Sequence, residues 1–138
     1  MQQAGALRLL EGLPHPMNEQ QLFARERKRT DIQDRHGHWF YAEALNAPPE
    51  LLQSVRDIVA NAASFARLTG TKFCGGFHPD YALEWQNQGA DRITLLCFGC
   101  RESKLFGSGR SNHVDMTEDA AKRLQELLKG VRQFRPER

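Results

Sequence analysis

Between residues 49 and 68 the apolar side chains recur every three or four positions: Leu51, Leu52, Val55, Ile58, Val59, Ala62, Phe65 and Ala66. On a helix of 3.6 residues per turn they share one stripe. The pattern predicts a long amphipathic helix there, opened by Pro49 and stopped at Gly70. After it the period changes to two. Tyr81, Leu83 and Trp85 alternate with Ala82 and Glu84, and the polar run 86–91 supplies a turn. Residues 93–98 are almost wholly apolar, which predicts a central strand. A third strand is expected at 102–106 and a short fourth at 112–116. Thr117, followed by Glu118 and Asp119, predicts the start of a last helix that turns Leu124, Leu127 and Leu128 inward.

The N-terminal part is less periodic. Ala6, Leu7, Leu9 and Leu10, followed by Gly12 and Pro14, are read as a short helix within residues 1–13. His15, between Pro14 and Pro16, is expected to be extended. Asn18 is the expected cap of a helix through Leu22 and Phe23, which runs into the charged stretch 25–29. The aromatic run 38–45 predicts a strand. Residues 131–138 are basic and expected to fray, with Val131 and Phe134 able to tuck back. The expected fold is α+β: an antiparallel β-meander of three to four strands, packed against the long helix and the C-terminal helix, with an N-terminal helical segment. The expected organisation is a helical, charged segment over 1–36, a single α+β domain over 37–130 and a basic tail over 131–138.

Composition adds exclusions rather than a function. The 138 residues, 40% hydrophobic and 26% charged, match an ordinary globular protein with one core. A net charge of +2 is too even to argue for nucleic acid. No apolar run approaches the ~20 residues of a membrane span. The N-terminus shows neither a basic region nor a sustained apolar one, so as written the chain is expected in the cytoplasm. A leader removed before Met1 would make it periplasmic.

The distinctive chemistry lies in two close pairs, Cys74 with His78 and Cys97 with Cys100. Folding the hairpin about a turn near Gly89 brings residue 78 close to residue 99, so all four can share one neighbourhood. Three outcomes stay open. Zinc accepts three thiolates and an imidazole, with short ligand spacings that suit it, and the favoured expectation is structural zinc on Cys74, His78, Cys97 and Cys100. Cys74 can instead join Cys97 or Cys100 in a disulfide worth ~3 kcal/mol. In the third, Cys97 is an inert core residue and His78 bonds a turn. An odd number of cysteines leans toward a reducing compartment or a metal. Reactive-thiol chemistry lacks the helix N-terminus that normally lowers a C-x-x-C thiol.

The stretches 74–85 and 95–102 together resemble a group of small bacterial proteins that carry a Cys, a Pro, a strand, a turn and a second strand ending in Cys-Phe-x-Cys. The resemblance covers roughly residues 50–130. It implies that Cys74, His78, Pro79, Cys97 and Cys100 are signature positions. It implies no activity, since none is established for the group. Many members carry export leaders, and an exported chain would favour the disulfide over zinc.

Other candidates are weaker. His36 and His38 flank Gly37 and suit a metal, but a solvated turn explains them as well. The run 25–29 could meet phosphates, although Glu26 interrupts it. Residues 107–111 lack the lysine and helix of a phosphate loop and read as a hairpin turn. Asp80 and Glu84 follow strand alternation. The expectation is a non-enzymatic binding or structural domain whose Cys/His cluster supports a surface for a protein partner; an inhibitor or toxin-immunity protein is one such form. The alternatives are a disulfide-stabilised domain of an exported protein, and a thiol- or zinc-dependent enzyme built on the same cluster.

Overall fold

The structure is a computed structural model that describes residues 7–70, 72, 74–87 and 89–135. It is mixed α+β, with three helices, a six-stranded antiparallel sheet and a separate two-stranded one. The chain runs β1 (Arg8–Glu11), α1 (Gln20–Glu26), β2 (Ile32–Arg35), β3 (His38–Tyr41), α2 (Pro49–Val59), β4 (Phe65–Arg67), β5 (Tyr81–Asn87), β6 (Ala90–Cys97), β7 (Glu102–Gly107), β8 (Arg110–Met116) and α3 (Glu118–Leu128). The large sheet has the order β1-β5-β6-β7-β8-β4.

Two expectations are corrected here. The meander of three to four strands is only the middle of the sheet, because β1 and β4 add an edge on each side. β1 was read as helix. Leu9 and Leu10 are both fully buried, but in two different apolar clusters, one on each face of the sheet. A strand covered on both sides loses its alternation, and the remaining spacing imitates a helix. Residues 1–6 of that expected helix lie outside the described residues.

The long helix also ends early, at Val59. Asn61 Oδ1 accepts the N–H of Ala63, and Ser64 Oγ donates to the carbonyl of Ile58. These side chains give the backbone other partners than the helical ones. Phe65 then leaves as β4 and pairs with Met116. α1 starts later than expected, and Asn18 does not cap it. α3 begins as read, with Thr117 Oγ1 accepting the N–H of Ala120.

One face of the sheet carries the main core. Leu9, Leu83, Leu96 and Met116 meet Val55 and Ile58 of α2 and Leu124 and Leu128 of α3. Burying each such side chain contributes ~1.5–3 kcal/mol. The β2–β3 hairpin covers the other face, where Phe40 packs on Leu10, Ala82 and Leu95. Its two-residue turn places His36 (φ 53°) and Gly37 (φ 87°) in the left-handed region, as a hairpin of type I′ requires. No helix among the described residues is long and apolar enough to cross a membrane.

Of the expected tail, residues 131–135 are docked rather than frayed, and residues 136–138 lie outside the described residues. Val131 and Phe134 pack against the main core. The fully buried carboxylate of Glu11 accepts the backbone N–H groups of Gln133, Phe134 and Arg135. Arg135 also pairs with Glu19, and Arg132 lies near Asp80 at 3.5 Å.

Candidate functional site

The four expected ligands, Cys74, His78, Cys97 and Cys100, do gather where β6 ends, because β5 and β6 are antiparallel with Tyr81 opposite Leu96. Their arrangement is not that of a metal site. Cys74, in the loop that precedes β5, is bonded to Cys100 in the β6–β7 turn, with Cα atoms 5.3 Å apart. Both sulfurs lie against the carbonyl oxygen of Gly76, at 3.6 and 3.5 Å. The expectation of zinc is corrected by this bond, which removes two of the four thiolate and imidazole ligands. No group of three or more His, Cys, Asp or Glu side chains that could hold a metal ion occurs among the described residues.

Cys97 is the free cysteine and is buried. Burial pushes its thiol up from the ordinary range, against the opposing pull of the backbone N–H groups of His78 and Cys100. A neutral, enclosed thiol is a poor nucleophile. His78 is also buried, at 7% exposure. Its Nε2 lies 2.5 Å from the carbonyl oxygen of Leu13, so this nitrogen carries the proton and donates it. Burial lowers the imidazole from its ordinary value, and the bond to Leu13 opposes that shift. The result is a neutral histidine that ties the loop before β5 to the segment after β1.

A second histidine joins this neighbourhood. The His15 ring centre is 5.0 Å from that of His78. Its Nδ1 accepts the backbone N–H groups of Met17 and Asn18, which leaves the proton on Nε2. Asp80 completes the corner. Its Oδ2 accepts the N–H of Phe98 at 2.9 Å, and its Oδ1 faces Arg132. These bonds fix loops, and none presents an unshielded nucleophile to solvent.

The loop held by the disulfide carries Phe77 onto the hairpin side of the sheet. The ring lies 5.2 Å from His38 and 5.4 Å from His113, and the Lys104 ammonium sits over it at 4.5 Å. Lys104 and His113 are direct cross-strand partners. Lys104 Nζ also lies 3.4 Å from Nε2 of His38. Burial, then the Lys104 charge, pushes His38 down to about 4, so near neutrality it accepts from the ammonium. Beside this patch Lys72 bridges Glu102 and Asp115, and Glu102 Oε1 is 2.7 Å from His113 Nε2. Burial pushes Asp115 up, but Lys72 and Thr69 outweigh it and hold the carboxyl below its usual range.

Sequence reasoning missed this patch. Its signal was present in the alternation of Glu102 and Lys104 with Ser103 and Leu105, and of His113 and Asp115 with Val114 and Met116. Charges on a strand face opposite an apolar face mark either solvent or a site, and only the register places Lys104 across from His113. The weaker candidates separate. His36 stacks on Phe106 at 3.7 Å while His38 turns to Lys104, so the two share no ligand position. In the basic run, Arg27 lies over Trp39 and Arg29 pairs with Glu26 and Asp31. Residues 108 and 109 form the turn of the β7–β8 hairpin. Comparison with protein-family models, with curated proteins and with solved structures gives no match for this chain.

Proposed function

We propose that this chain is a non-catalytic binding domain in which a disulfide holds a recognition loop against a sheet. The observation that carries the reading is the fate of the signature side chains. Cys74 and Cys100 are bonded to each other, His78 is spent on a backbone carbonyl, and the Cys97 thiol is enclosed. What this staple supports is the position of Phe77 beside His38, Lys104 and His113. A half-buried ring flanked by a cation and two imidazoles suits an acidic segment of a protein partner: aromatic anchors carry much of the energy of such contacts, and complementary charge around them selects the partner. The disulfide also favours an oxidising compartment, which fits the resemblance to proteins with export leaders.

Thiol counting tests the chemistry. Protein made in an oxidising compartment should show one reactive thiol per chain when unfolded without reductant, and none when folded. Three thiols would remove the staple. Reduction of insulin by this protein, abolished by Cys97→Ala, would replace the reading with a thiol enzyme. The binding surface is tested by a photo-crosslinking residue at position 77 in host extract. A product lost on Lys104→Glu, in a variant that keeps its unfolding midpoint, supports the surface. The same products from both chains would sink it.

A further inference from the structure

The helices leave part of the sheet uncovered on their own side. Beyond the end of α2, strands β6, β7 and β8 floor a cavity of about 410 Å³. Its apolar lining comes from Val59, Phe65, Trp85 and Leu105, and its charged lining from Arg92 and Arg110. An adjoining cavity of about 610 Å³ shares Phe65 and Leu105 and adds Arg67 and His113. Among the described residues every ionisable side chain lining the two is an Arg or a His, and the nearest carboxylate, that of Asp91, lines a neighbouring cavity that shares Arg110 and Gly107. These volumes fall within the roughly 300–1,000 Å³ of small-molecule sites.

Arg92 is the unusual residue. It is half-buried, yet among the described residues neither it nor Arg110 makes an ion pair. Most other partly buried cations have one: Lys72 has two carboxylates, and Arg8, Arg35, Arg56 and Arg135 each have at least one. Its seat is also built. Gly107 lies directly across the strand pair from Arg92. A Cβ at 107 would overlap Cδ and Nη1 of Arg92. The backbone of Gly107 is not in the left-handed region, unlike that of seven other glycines, so its conformation does not demand glycine. A side chain there would instead push Arg92 out of its present place. One further donor is available at the floor: Trp85 Nε1 donates to Thr94 Oγ1 at 3.0 Å, which leaves the Thr94 hydroxyl proton for a ligand.

A guanidinium held partly out of water without a carboxylate is an incomplete arrangement, because the lost hydration has no compensation. A planar fork beside an apolar trough is matched by a carboxylate on an apolar body. We propose that this cavity binds a small amphipathic carboxylate, with its chain or ring on Val59, Phe65, Trp85 and Leu105 and its carboxylate on Arg92. Arg110 adds positive field at the mouth. The site lies on the opposite face of the sheet from Phe77, and it is independent of the protein-binding reading.

Calorimetric titration of the full chain with decanoate, kept below its micellar concentration, tests this. One saturable site is expected, with a change in Trp85 emission in a Trp39→Phe background. Decan-1-ol, with the same chain and no charge, should bind at least about tenfold more weakly, the difference expected from one charge-assisted hydrogen-bond pair. Arg92→Gln should weaken decanoate by a similar factor. Gly107→Ala should do the same by displacing Arg92, and if that variant fails to fold, Arg92→Gln alone decides. A folded wild-type protein without saturable binding up to about 1 mM, a range that any useful site would reach, overturns the proposal. So does equal affinity for decanoate and decanol, or undiminished binding in Arg92→Gln.

Discussion

Glu11→Gln isolates the contact that docks the C-terminal segment. Glu11 is fully buried, and its Oε1 accepts from Gln133 and Phe134 at 2.9 Å each, while Oε2 accepts from Arg135 at 3.2 Å. Arg132 Nη1 stands 3.8 Å from Oε2. Gln keeps the shape and one acceptor oxygen. It turns two charge-assisted bonds into neutral ones, at a loss of ~1 kcal/mol each, and sets an NH₂ group against the N–H of Arg135. The summed loss is about 2–4 kcal/mol, but it has a ceiling. Once the loss exceeds what docking contributes, residues 131–135 detach and the side chain at 11 hydrates, while the sheet stays folded.

Two measurements separate these terms. Urea unfolding should show a loss of roughly 2 kcal/mol or more, within that ceiling. Hydrogen exchange should accelerate at the amides of 133, 134 and 135, with the amides of β6 and β7 quickened only as far as the loss of global stability dictates. In a chain ending at Val131, Glu11→Gln should cost far less, because the three donors are already gone; that non-additivity is the signature of one shared contact. A stability change under about 0.5 kcal/mol in the full chain, typical of an ordinary surface substitution, would refute the reasoning. Unchanged exchange at the three amides would do so as well.

Three further outcomes are expected. Replacing Cys74 and Cys100 by serine frees a loop with a sequence separation of 26, which the chain-entropy relation converts to about 3.5 kcal/mol of lost stability; a change below about 1 kcal/mol on chemical denaturation would show that the staple does not constrain the unfolded chain. His38 falls from 6.5 to about 4 on folding. The unfolded state therefore takes up the proton first as pH falls below 6.5, and stability drops across the window from 6.5 toward 4. Allowing for the partial exposure of His38, the drop is roughly 1–2 kcal/mol between pH 7 and pH 5, and His38→Gln should flatten that part of the profile; an unchanged slope counts against it. Gly12→Ala places a Cβ against the carbonyl oxygen of Pro79, where backbone must move, and a loss of ~1–3 kcal/mol by thermal unfolding is expected; an unaltered midpoint would mean that β1 and the segment before β5 sit farther apart.

What could be read from the chain, and what could not, follows from where each residue finds its partners. α3 was legible because a capping threonine, two acidic residues and an apolar stripe all fall within a dozen positions. β6 was legible because a central strand is apolar throughout. Leu9 and Leu10 were misread because each answers to a different face of one sheet, information that lies in β5 and the β2–β3 hairpin. Phe65 and Ala66 kept the helical spacing by coincidence, while Asn61 and Ser64 had already turned the backbone away. The same distinction governs chemistry. The turn near Gly89 was enough to bring the cysteines together, but whether two thiols bond or hold an ion depends on which loop presents them, and Cys74 reaches Cys100 from a segment with little pattern of its own. The tail shows the point most clearly. Arg132 and Arg135 read as solvated charges, since Glu11, Glu19 and Asp80 lie more than 50 positions away. Arg92 is the converse case: a residue whose local sequence is that of an ordinary strand, and whose lack of a carboxylate is visible only when the whole lining of its cavity is assembled. A half-buried cation without a carboxylate partner among the described residues, beside a glycine that its backbone does not require, is therefore the feature of this fold that most asks for a ligand.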